Sequence, residues 1–220
     1  MSTLRLILVP GIITALVTLL RLVGELNQWS RAFFNPEAGG GMAIVGIAWL
    51  VPVFGIYFAW KLHSSEGIRN GGRSVGFGLL AIVAFAVLAF GLNAAMGLDP
   101  NTPSLLALGN FTIASLVALA IAYYGTGALG RVLFAYGLAA RIPVVLVMLV
   151  AILGNWGTHY DVLPPGVTLE VSPLTKWFFI GVVPQLTTWM AFTVALGALF
   201  GGIALVVAER REAAARPAGT

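Results

Sequence analysis

The chain has no cysteine, two histidines and only 20 charged side chains in 220 residues. Without cysteine there is no disulfide framework, no thiol nucleophile and no thiolate metal site. A charged fraction of 9% is far below the quarter or so that a soluble domain carries, while 59% of the residues are hydrophobic and mean hydropathy is +0.96. Soluble globular, disordered and nucleic-acid-binding classes are therefore excluded. What is present is a series of long apolar runs, the mark of a polytopic membrane protein.

A hydrocarbon core of about 30 Å needs roughly 20 apolar residues in helical form. Six such runs are expected to span it: 6–24, 42–60, 75–97, 105–124, one within 131–156, and 184–207. The runs are continuous rather than alternating, which favours helices over barrel strands. The first lacks an A-x-A-like cleavage site and reads as a retained, signal-anchor-like helix. The expected fold is an all-α bundle of six transmembrane helices in a single domain. Its loops are no longer than about 20 residues, and a small extracytoplasmic loop cap is built from 157–175 and the Asn27 to Gly40 loop. Residues 209–220 read as a cytoplasmic tail.

Basic residues set the orientation, because Lys and Arg beside spans stay in the cytoplasm. With six spans, one side carries Arg5, Lys61, Arg69, Arg73, Arg131, Arg210, Arg211 and Arg216, against Arg21, Arg31 and Lys176 on the other. That bias of eight to three puts both termini in the cytoplasm. The net charge of +4 then reflects topology residues beside anionic headgroups rather than a nucleic-acid partner. Alanine- and glycine-rich spans with short loops suggest a multi-pass protein of a bacterial inner membrane.

Three places break the pattern. Arg141 falls inside the fifth run. A span over 132–155 would bury it, at a cost of at least about 2.5 kcal/mol. A span over 142–158 would leave it among the headgroups, with Pro143 in the first turn where proline is tolerated, and this second placement is the preferred expectation. The stretch 177–208, about 48 Å as one helix, is too long for one crossing, and Pro184 is expected to divide it. Residues 157–175 are the least membrane-like segment. There 160–163 and 167–171 could pair as a hairpin around Pro164-Pro165-Gly166.

Ionisable and polar groups in or near spans are the candidate site. Arg21 and Glu25 are four residues apart on one helix face. Asn93, Asn155, His159, Tyr160, Asp161 and Gln185 are expected at the same outer depth, as ligand or pathway residues, with Arg141 as the deep candidate. The competing reading is that Arg21 snorkels and the rest solvate among headgroups. No catalytic residue is assigned. There is no HExxH, no histidine cluster, no G-x-S-x-G and no central lysine, so neither a metal nor a cofactor is expected. Gly197 with Gly201, and Gly91 with Ala95, are small-residue pairs suited to close helix packing. The tryptophans, Trp177 and Trp189 among them, read as an interfacial belt.

The leading expectation is a non-catalytic integral subunit or assembly partner of a larger membrane complex. Its partners are then the lipid bilayer and other membrane proteins, or a second copy. A small-solute transporter or channel is the alternative, suited by breaks near Pro143 and Pro184. A lipid- or quinone-directed membrane enzyme with an outer polar site is the third, and it requires Arg21, Glu25 and His159 to meet.

Overall fold

The computed structural model describes residues 2–98, 104–163 and 170–215. It contains six long helices: α1 Thr3–Leu26, α2 Leu50–Glu66, α3 Gly71–Ala95, α4 Leu105–Gly125, α5 Ala128–Gly154 and α6 Pro173–Ala215. Among the described residues there is no strand. Five of the six helices, all except α2, are long and apolar enough to cross a membrane.

In α3 and α4 small residues lie inside and large apolar ones outside. Ala81, Ala89, Ala114, Ala118 and Ala122 are buried, whereas Val87, Phe90, Ile113 and Leu116 on the same helices are exposed. This distribution fits a bundle whose outer face is solvated by lipid and whose helices meet through small side chains. The main helical part of α6, Thr188–Ala215, is the hub, packed against α2, α3, α4 and α5, while α1 leans on α5. Glycine makes this possible. A Cβ on Gly55 of α2 would lie 2.5 Å from the Gly197 carbonyl oxygen, and one on Gly201 would lie 2.7 Å from that of Gly55. On the other side of α6, a Cβ on Gly202 would lie 2.7 Å from the amide nitrogen of Val75 in α3. Gly91 and Ala95 face outward, and nothing lies within 4 Å of a Cβ on Gly91.

Hydrogen bonds fix which helix ends lie together. At one end Arg73 Nε donates to the Gly125 carbonyl (2.8 Å) and the Gly71 amide to Glu209 (2.9 Å). There too, Glu212 takes Arg69 (2.6 Å) and meets His63 Nε2 (2.8 Å). At the other end the His159 amide donates to Glu25 (2.9 Å). Successive helices therefore run up and down.

Four expectations change. The second helix starts at Leu50, not Met42, so all of residues 27–49 form a connection longer than expected. Gly39, Gly40, Gly41 and Met42 all have positive φ (72°, 80°, 47° and 59°), a run no right-handed helix can include. The fifth helix is continuous through Arg141 and Pro143, so the start at Ile142 is overturned: Arg141 lies mid-helix, 3% exposed. The last stretch is not divided at Pro184. A π-helical segment, Trp177–Val182, absorbs the irregularity, and the backbone departs from ideal helix at Thr187 (φ −118°, ψ −75°). The helix then continues to Ala215, where a tail was expected from 209. Of the hairpin, Tyr160 and Asp161 lie in a turn, and residues 164–169 lie outside the described residues.

Candidate ligand cavity

A cavity of about 920 Å³ lies where the end of α1, the 27–49 connection, the start of α4, the second half of α5, the 155–163 turn and the start of α6 converge. Its walls are largely apolar, with Val17, Ile47, Leu108, Val144 and Met148 among them. A second, shallower hollow of about 340 Å³ lies between α4 and α6. The two share Leu105, Leu108 and Phe179, so the groove between those helices adjoins the chamber. The π-helical segment shapes this side. It places Phe179 and Ile180 on the cavity, and Trp177 Nε1 donates to the Val145 carbonyl (2.9 Å), tying the segment to α5. Widened turns of this kind recur at functional sites.

At the end nearest the 155–163 turn three of the sequence candidates meet on one carboxylate. The Glu25 side chain is fully buried. Its Oε1 accepts from Arg21 Nε at 2.8 Å, and its Oε2 accepts from the His159 amide at 2.9 Å. His159 Nδ1 lies 2.6 Å from Oε1, at ion-pair distance but off the hydrogen-bond line. Arg21 does not snorkel. Its Nη2 donates to the carbonyls of Asn35 (3.2 Å) and Gly40 (2.9 Å), so the side chain braces the 27–49 connection against α1. Burial pulls the His159 imidazole below its ordinary value, although the neighbouring Glu25 carboxylate opposes that shift. Tyr160 is buried and donates to the Thr18 carbonyl (3.1 Å). Asp161 is consumed by its own turn, accepting from the amides of Gly157 (2.9 Å) and Thr158 (2.8 Å) and from the Thr158 hydroxyl (2.6 Å).

At the deep end lies Arg141. Its Nη2 donates to Thr193 Oγ1 at 3.3 Å, and its guanidinium sits 4.9 Å from the centroid of the Trp189 ring. Its Nε is buried with no hydrogen-bond acceptor, and among the described residues no carboxylate pairs with it. Gln185, one turn before Trp189, also faces the cavity, and its Oε1 is buried without a donor. Below Arg141 the bundle is closed by aromatics. Tyr136 packs edge-on against Phe54 and Phe58, with centroids 5.4 and 5.3 Å away, and its hydroxyl bonds Thr14 Oγ1 at 2.9 Å.

The structure thus brings Arg21, His159, Tyr160, Arg141 and Gln185 to one chamber, with Glu25 directly behind it. Three candidates do not join it: Asp161, held in its own turn, Asn93 and Asn155. Asn93 accepts from Asn110 Nδ2 (2.7 Å) and ties α3 to α4. Asn155 ends α5 in a left-handed conformation (φ 48°). Trp189 packs against Arg141, a contact the sequence did not suggest, and Thr193 was not singled out at all. Neither carries a sequence signal beyond lying on the same face of α6, one turn apart. Among the described residues no group of three or more His, Asp or Glu side chains is arranged to hold a metal ion. No protein-family model matches the chain, and neither does any curated protein or solved structure.

Proposed function

We propose that the protein is a multi-pass protein of a bacterial inner membrane, with α2 as a sixth, shorter crossing and both termini cytoplasmic. Its function is to bind a membrane-soluble, amphipathic ligand of the lipid or quinone class in the cavity. The eight basic residues on the amino-terminal side, against three on the other, support the orientation. One observation carries the ligand reading: Arg141 is buried and has no carboxylate partner among the described residues, yet it lines a chamber large enough for a drug-sized or lipid-sized molecule. A lone buried charge costs several kcal/mol, and a purely structural bundle gains nothing by keeping one beside a cavity.

The other readings fit less well. A complex subunit without a ligand leaves the chamber and its orphaned polar atoms unexplained. A channel needs a path open at both ends, and the Phe54, Phe58 and Tyr136 cluster closes this one below Arg141. The meeting of Arg21, Glu25 and His159 favours the lipid- or quinone-directed reading, because it gives the chamber an ordered polar mouth.

The test is purification from native membranes in mild detergent, followed by native mass spectrometry of everything bound. About one amphipathic molecule per chain is expected. A chain that carries none, and takes up none when reconstituted into lipid nanodiscs, contradicts the reading.

A further inference from the structure

We infer that the deep end of the cavity is a subsite for an anionic phosphodiester lipid whose headgroup bears a free hydroxyl. Arg141 takes the phosphoryl oxygen, Gln185 takes the hydroxyl, and an acyl chain leaves between α4 and α6. This rests on the ligand reading above and names the chemistry it leaves open.

Charge selects the anion. Around the cavity, Arg21 is neutralised by Glu25, whereas Arg141 has no counter-charge among the described residues. The occupant therefore brings one negative charge to a low-dielectric site, and a phosphodiester carries one. A phosphomonoester near neutral pH carries nearer two and would leave the second uncompensated.

Donor geometry places it. One face of the guanidinium is covered by Trp189, and Nη2 is engaged by Thr193, so buried Nε is a donor left without an acceptor, which an oxyanion reaching it supplies. Gln185 adds the second requirement. Its Oε1 is a buried acceptor with no donor, and neither a bare phosphate ester nor a quinone carbonyl offers an O–H to it. A hydroxylated phosphodiester headgroup carries an acceptor for the first orphan and a donor for the second. The adjoining groove along Leu105, Leu108, Thr112 and Phe179 offers the chain an apolar exit toward the lipid phase, past the side chains that border both hollows.

The experiment is a competition series read by native mass spectrometry of the full-length protein in nanodiscs. Matched acyl chains carry phosphatidylglycerol, phosphatidylethanol (anionic, no free hydroxyl) or phosphatidylcholine, and water-soluble glycerophosphoglycerol and inorganic phosphate are added separately. Phosphatidylglycerol is expected to bind about tenfold tighter than phosphatidylethanol, the penalty for leaving Gln185 unpaired. Phosphatidylcholine and the soluble phosphates are expected to compete poorly. Arg141→Gln is expected to abolish the preference for anionic lipid. Gln185→Leu, which keeps the charge and serves if the arginine variant does not fold, is expected to abolish only the glycerol-over-ethanol preference. Equal binding of phosphatidylglycerol and phosphatidylethanol overturns the hydroxyl requirement, and equal binding of the soluble phosphates overturns the lipid source. A cavity filled by a neutral lipid or quinone, unaffected by Arg141→Gln, overturns the anion subsite while leaving the ligand reading intact.

Discussion

The guanidinium of Arg141 lies 4.9 Å from the ring centroid of Trp189, and this cation–π contact stands where a carboxylate would be expected. Such a contact contributes about 2 kcal/mol when desolvated, less than the penalty for burying an unpaired cation. The empty protein is therefore held in an unfavourable state that an anion relieves.

Arg141→Met tests that imbalance. Replacing a lone buried charge by an apolar side chain of similar length is expected to raise the thermal midpoint of the ligand-free protein, by on the order of 1–4 kcal/mol of stability. The same substitution is expected to lower the amount of retained anionic ligand. Melting curves on delipidated samples, paired with quantification of bound lipid, measure both. A variant that loses stability without ligand shows that Arg141 is structural.

Glu25 is expected to behave oppositely. It is fully buried and takes Arg21 and the His159 amide, with the imidazole alongside. Glu25→Ala leaves Arg21 without its partner and is expected to cost about 3–5 kcal/mol. Hydrogen exchange is expected to rise first in residues 155–163 and in the 35–40 segment that Arg21 braces. Exchange that stays unchanged there contradicts the brace.

The pH dependence follows from His159. Its folded pKa is depressed by burial, so the native state favours the neutral ring. Between that lowered value and the ordinary 6.5 the unfolded chain binds more protons, so stability rises with pH across this window and is lost as pH falls through it. Thermal midpoints of the wild type and His159→Gln, measured from pH 8 down to pH 4, are expected to converge as pH drops. Parallel curves contradict the assignment.

The glycines divide by what surrounds them. Gly91→Ala meets open space and is expected to stabilise α3 by about 0.5–1 kcal/mol through helix propensity alone. Gly55→Ala drives a Cβ to 2.5 Å from the Gly197 carbonyl, and is expected to cost about 1–3 kcal/mol as α2 and α6 are forced apart. Denaturation in detergent measures both signs.

Hydropathy alone was enough to place α1, α3 and α4, because their apolar runs end at charges or turn residues: the expected 105–124 became Leu105–Gly125. It misplaced the start of α2, because the apolar residues 42–49 look like helix, whereas Met42 has positive φ and the residues after it form bends and turns up to Leu50. It also misjudged Arg141. Insertion cost argues against a buried arginine, but that cost assumes a lipid environment, and here the side chain faces an internal chamber with Trp189 and Thr193 beside it. The meeting of Arg21, Glu25 and His159 was half legible: the first two are one helical turn apart, whereas His159 arrives through tertiary folding. Trp189, Gln185 and the π-helical segment could not be assigned to Arg141 from periodicity, which says nothing about partners on another helix.

The most direct test of the central claim is a cryo-electron microscopy map of the wild-type protein, bound to a fiducial antibody fragment, in nanodiscs made from native lipid. The account predicts elongated density with its head against Arg141 and Gln185 and its tail leaving between α4 and α6, absent in a matched map of Arg141→Gln. A cavity that is empty in both maps, or filled equally in both, would contradict it.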